Sequence, residues 1–147
     1  MAPFEITTKS EEETLQWAKT FAKTLKIGDA IAFYGNLGAG KTLITRGICQ
    51  ALNYSGTVCS PTYTILHEYP NDPPIFHLDL YRLESNSDLE EVFNNSATCT
   101  TAPLILNIPI SYKSQITSNF SSFVIFSFVI PKSLIYSVIP SNVNGYS

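Results

Sequence analysis

Residues 35–42 read Gly35-Asn36-Leu37-Gly38-Ala39-Gly40-Lys41-Thr42, and this octapeptide decides the fold. It has the spacing G-x-x-x-x-G-K-[ST], in which every fixed position has a physical reason. Glycines admit backbone angles that a side chain would block, so successive N–H groups can turn inward on one anion. The lysine places a positive charge beside the outer phosphates of that anion. The threonine hydroxyl can complete the octahedral oxygen shell of a Mg²⁺ ion. Amides at the start of a following helix add a favourable dipole.

The flanks supply the context this motif requires. Ala30-Ile31-Ala32-Phe33-Tyr34 is an apolar run long enough for one buried strand. Beyond Thr42, the residues Leu43, Ile44, Gly47, Ile48, Ala51 and Leu52 recur at helical spacing, with Arg46 and Gln50 on another face. Strand, glycine-rich turn and helix follow in the order that phosphate binding demands. Residues 35–42, with Leu43 in the first helical turn, are therefore expected to bind a nucleotide. The fold class expected is α/β, a P-loop NTPase-like sheet flanked by helices.

Upstream, Phe4-Glu5-Ile6-Thr7-Thr8 alternates as an opening strand would. Ser10-Glu11-Glu12-Glu13 reads as a capping box. The helix it opens turns Leu15, Ala18, Phe21, Ala22 and Leu25 inward and is expected to end at Gly28. Downstream, residues 58–69 are rich in β-branched and aromatic side chains, and residues 70–74 form a breaker cluster. Ile75-Phe76-His77-Leu78-Asp79-Leu80 reads as a second strand paired with the segment before the breaker. Ser87 and Glu90 mark the first turn of a further helix.

Asp79 closes an apolar run, and a buried carboxylate needs a cation or several donors to stay charged. It is the candidate second acid for the metal, with an ion pair to Arg82 as the alternative. Ser60-Pro61-Thr62-Tyr63 is either a sensor loop facing the nucleotide or a strand edge with a rigid proline turn. His67 and His77 have no metal-ligand partner pattern and read as half-exposed strand residues.

Composition narrows the rest. A chain of 147 residues with net charge −3 is one domain of ordinary size without an overall basic footprint for nucleic acid. No wholly apolar run reaches the length of a membrane span. Met1-Ala2-Pro3-Phe4-Glu5 lacks the basic start and apolar core of an export signal. Cys49, Cys59 and Cys99 lack metal-like spacing, so reduced thiols in the cytoplasm are expected. The composition then changes sharply: all 12 acidic residues precede Val92, and beyond it the only charges are Lys113 and Lys132. Runs such as Phe120-Ser121-Ser122-Phe123-Val124-Ile125-Phe126 combine high β-propensity with no charge. Residues 1–92 are expected to form the P-loop core, and residues 93–147 a tail that is non-native or disordered.

Taken together, the octapeptide, Ser60-Pro61-Thr62-Tyr63-Thr64 and His77-Leu78-Asp79-Leu80-Tyr81-Arg82-Leu83 resemble three successive signatures of the TsaE (YjeE) family. The resemblance covers about residues 4–92. That family comprises small bacterial ATPases needed to make threonylcarbamoyladenosine in tRNA. The resemblance implies ATP and Mg²⁺ as cofactors, slow hydrolysis, and association with the partner proteins TsaB and TsaD, with tRNA engaged only indirectly. By position it implies phosphate binding by Lys41, Mg²⁺ binding by Thr42 and Asp79, and catalytic roles for Lys41 and Asp79. It also implies a mobile segment at residues 60–64, with Thr62 near the γ-phosphate, and places Ser10 and Glu11 beside the adenine.

Two departures stand out. Asn36 occupies a position where the family often has Asp; the backbone is what that loop position presents. More serious, the family has an apolar strand ending in Ile-Glu-Trp-Pro whose Glu acts near the Mg²⁺. Its counterpart here is Ile105-Leu106-Asn107-Ile108-Pro109, with Asn107 and Ile108 where Glu and Trp are expected. An amide cannot accept a proton as a carboxylate does. Either the chain has diverged, leaving a nucleotide-binding protein that hydrolyses poorly, or the reading frame shifts shortly after Val92. A small-molecule kinase is a further alternative, but such enzymes clamp the transferring phosphoryl group with several arginines. This chain has only Arg46 and Arg82.

Overall fold

The structure, a computed structural model, describes residues 4–83, 103–108, 125–130 and 135–141. In chain order these form strand β1 (Phe4–Thr7), helix α1 (Glu11–Ala22), β2 (Ala30–Gly35), α2 (Lys41–Ala51), β3 (Leu66–Tyr69) and β4 (Ile75–Asp79). A 3₁₀ turn (Leu80–Arg82) follows, then β5 (Leu104–Ile108), β6 (Ile125–Ile130) and β7 (Ile135–Ser141). The expected helix at Ser87, the residue Cys99 and much of the expected tail lie outside the described residues.

The seven strands among the described residues join one sheet in the order β1-β7-β6-β2-β5-β4-β3. The strand that leads into the octapeptide lies inside it, parallel to β5 on one side and β6 on the other. β4 continues the parallel set beyond β5, while β1, β3 and β7 pair antiparallel with their neighbours. Every residue of β2, β4 and β5 is buried, which explains why these segments read as continuous apolar runs. The chain changes direction across the sheet at β2, whose neighbours β5 and β6 come much later in sequence. In open α/β sheets, the carboxyl ends of strands at such a point form the ligand crevice. Gly35, Asp79 and Ile108 are the last residues of β2, β4 and β5.

Two clusters fill the interior. Ile31, Phe33, Ile75 and Ile105 pack with Ala18, Phe21, Ile44 and Ile48 of the two helices. Ala30, Ala32, Leu78, Leu104 and Leu106 belong to the second cluster, on the opposite sheet face by strand alternation. The helices pack closely at Gly47. A Cβ there would lie 2.6 Å from the Ala18 Cβ and 3.0 Å from the Leu15 carbonyl oxygen, so glycine is required by proximity.

Ser10 caps α1, its Oγ accepting from the Glu13 amide at 3.2 Å, and Glu13 reaches back one residue beyond the cap, its Oε2 accepting from the Lys9 amide at 2.7 Å. α1 ends at Ala22 rather than running to Gly28. Lys23 caps it in a right-handed conformation, and Gly28, at φ 87°, shapes the later turn into β2. The β3–β4 hairpin is also shorter than its composition suggests. β3 begins only at Leu66, because Pro61 cannot donate to a ladder and the segment up to Thr64 folds as turns.

Candidate functional site

The octapeptide connects β2 to α2 with Gly38 at φ 77° and Gly40 at φ 96°, angles that a side chain would strain. The two helix starts differ in a way that bears on binding. α1 has Ser10 as a side-chain cap and three glutamates in its first turn; α2 has Gly40 as N-cap, no side-chain cap bond and no acid. The first amides of α2 therefore keep an unmet preference for an anion. Lys41 Nζ donates to the Gly35 carbonyl at 2.7 Å and the Asn36 carbonyl at 2.9 Å, which holds the ammonium at the mouth of the loop. Burial lowers its pKa, and the charge of Asp79 works in the opposite direction.

Asp79 faces the loop from the end of β4. Its Oδ2 accepts from Thr62 Oγ1 at 3.0 Å and Ser60 Oγ at 3.4 Å, and its Oδ1 accepts from the Tyr81 amide at 3.0 Å. Several donors thus support the carboxylate, while the Arg82 guanidinium lies over the Tyr63 ring at 5.8 Å from its centroid. The backbone links the two segments as well: the Asp79 amide donates to the Ile65 carbonyl at 2.9 Å. Ile65 has φ 67°, a left-handed conformation that costs a β-branched residue on the order of 1–3 kcal/mol. The segment at residues 60–65 is a turn folded onto Asp79, which resolves the choice between sensor loop and strand edge against the strand.

His77 corrects an expectation. It is fully buried, not half-exposed, because both faces of β4 are covered. Tyr69 Oη donates to the Cys59 carbonyl at 3.0 Å and lies 3.0 Å from His77 Nδ1. On its other side, His77 Nε2 lies 2.8 Å from Asn107 Nδ2. Burial pulls the His77 pKa down to about 4, against the opposing effect of the Asp79 charge. The imidazole is neutral at pH 7. Asn107 sits opposite Asp79 in the parallel β4–β5 register and is 1% exposed. Its Oδ1 is buried with no hydrogen-bond partner.

These groups converge on a cleft of about 290 Å³ lined by Leu37, Gly38, Ala39, Gly40, Lys41, Thr42, Ser60, Asp79 and Asn107. The structure thus brings the loop, Thr42 and Asp79 together. Gly35 and Asn36 reach the site through the carbonyls that hold Lys41, and Thr62 through Asp79. Leu43 lies behind the loop in the first turn of α2. Ser10 and Glu11 do not line the cleft; the Ser10 hydroxyl serves its own helix. Sequence reasoning left Asn107 out of the candidate binding residues and did not connect Tyr69 or His77 to the site. The signal for His77 was the apolar Phe76 and Leu78 on either side of it, which implies a strand covered on both faces.

Comparison with known proteins then separates this loop from the many that share its pattern. The family model described as threonylcarbamoyl adenosine biosynthesis protein TsaE matches residues 8–118, past Val92 and through β5. The chain belongs to the TsaE family. It is 42% identical over 97 residues to the tRNA threonylcarbamoyladenosine biosynthesis protein TsaE of Bacillus subtilis, covering 63% of this chain and 61% of that protein. The protein of the same description in Haemophilus influenzae is 41% identical over 100 residues, covering 60% of this chain and 63% of that one. For the Synechocystis protein the figures are 44% over 73 residues, 49% and 46%. The chain thus spans about half to three-fifths of the length of these relatives. Among solved structures it resembles Bacillus subtilis YdiB, with a TM-score of 0.64 and 25% identity over 92% of this chain and 82% of that one. Family and fold together mark a P-loop NTPase-like α/β protein of the TsaE family. Among the described residues, no helix is long and apolar enough to cross a membrane.

Proposed function

We propose that the chain binds Mg²⁺-ATP in this cleft and hydrolyses it as an accessory to threonylcarbamoyladenosine formation in tRNA, acting in the cytoplasm with TsaB and TsaD. The observation that carries the reading is the convergence of Lys41, Thr42 and Asp79 in one cleft beside an uncapped helix start. The donor set fits the cofactors. Loop amides and Lys41 suit a phosphate chain, and the hard oxygens of Thr42 and Asp79 suit Mg²⁺. Among the described residues, no group of three or more His, Cys, Asp and Glu side chains could hold a metal. Mg²⁺ in phosphate-binding sites needs no such cage, because one or two carboxylates and the phosphates suffice. When bound, the ion would neutralise charge on the phosphates. The chain's own contributions are orientation by the loop amides, charge from Lys41, and a carboxylate whose position the Ser60 and Thr62 hydroxyls hold.

A second reading is favoured by one observation: among the described residues lining the cleft Asp79 is the only acid, and Asn107 stands where a second would be. On that reading the protein binds nucleotide with little or no hydrolysis. ATP turnover measured with and without TsaB and TsaD, beside Lys41→Ala, separates the two. The first reading predicts partner-stimulated release of ADP and phosphate that the variant lacks. Tight Mg²⁺-ATP binding without stimulated turnover would overturn it in favour of the second. We also propose that residues 1–92 are the ATPase core and that the tail beyond Val92 is divergent or frame-shifted. Translation of the other frames of the coding DNA tests the frame shift, which requires an Ile-Glu-Trp-Pro-like run in one of them.

A further inference from the structure

We infer that Asn107 presents its side-chain oxygen to the cleft as a neutral acceptor, and that His77, held in its Nδ1–H form by Tyr69, fixes that orientation. This rests on the nucleotide reading of the cleft. Tyr69 has one hydroxyl proton, and it goes to the Cys59 carbonyl. Tyr69 Oη can then only accept at its 3.0 Å contact with His77, so the imidazole proton sits on Nδ1. The Nε2 lone pair must in turn accept from Asn107 Nδ2 at 2.8 Å. That leaves Oδ1, buried and without a partner, on the residue that lines the cleft with Thr42 and Asp79. Four groups, from the segment before β3 and from β3, β4 and β5, thus transmit one choice, from a backbone carbonyl to the amide of Asn107.

An unpartnered buried acceptor is costly unless a donor arrives. Mg²⁺ keeps several of its waters when it binds with a nucleotide. Such a water is the occupant we assign to Oδ1. Asn107 is then a binding residue and His77 a positioning residue. The oxygen adds no charge to a site that Asp79 already makes negative.

Two measurements on the whole chain test this. Long-range proton–nitrogen NMR of the histidines should show His77 as the Nδ1–H tautomer, the minority form of free imidazole; an Nε2–H signal would overturn the assignment. ADP binding should strengthen with Mg²⁺ in the wild-type chain, and in Asn107→Leu the ratio of affinities with and without Mg²⁺ should fall by about three- to tenfold. If Asn107→Leu keeps the full gain, the inference fails and the nucleotide reading stands. If the wild-type chain binds no ADP at all, the nucleotide reading falls and the inference with it. Should the variant not fold, the tautomer still decides.

Discussion

The two walls of the cleft are built by different means. One is the loop at residues 35–42, a continuous stretch whose binding groups are mostly backbone amides. The other is the pair Asp79 and Asn107 with His77 and Tyr69 behind them, side chains drawn from separate strands and set in place by sheet register. The loop wall needs only local backbone freedom and a helix start with no cap of its own. The side-chain wall needs burial, strand alternation and proton directions that agree over several residues. Changes to its hydrogen-bonded chain should therefore spread, whereas the loop should fail by losing its support or its charge.

Acid should break the side-chain wall first. The folded chain holds His77 neutral with a pKa near 4, while the unfolded chain takes up a proton near 6.5. Stability is thus fully present above about pH 6.5 and is lost as pH falls toward 4, about 3 kcal/mol in all and about 2 kcal/mol by pH 5. Urea midpoints of the nucleotide-free protein between pH 7.5 and 5 measure this. A flat profile would show that His77 is not buried as described.

Gly47→Ala probes the support of the loop wall. Its Cβ would press on Ala18 Cβ, pushing α1 away from the helix that carries Lys41 and Thr42, at about 2 kcal/mol. Thermal unfolding should register the loss; an unchanged midpoint would mean the helices part without cost. Thr62→Val makes the smallest cut. It removes the 3.0 Å bond to Asp79 and should cost about 1 kcal/mol in denaturant unfolding without nucleotide. A larger loss would mean that the strained turn at Ile65 depends on that bond.

The same contrast explains what was legible in the sequence. The loop is local, so eight residues and an apolar run on one side disclosed strand, turn and helix together. Asp79 could be read because an uninterrupted apolar run leads into it. His77 was misread because its polar side chain suggested an open face despite the apolar residues around it, and its partner Asn107 lies 30 residues further on. The start of β3 was hidden by composition: residues 58–65 are as β-prone as those that follow, and the proline and the left-handed Ile65 exclude them from the ladder. Asn107 itself was noticed only as a departure from a family pattern. Its role depends on a proton relay that no spacing encodes.

Calorimetric titration of the chain with Mg²⁺-ATP, beside Lys41→Ala, tests the nucleotide reading most directly. The account predicts saturable binding that the variant weakens by about a hundredfold or more, roughly 2.7 kcal/mol. Absence of binding, or equal affinity in the variant, would contradict it.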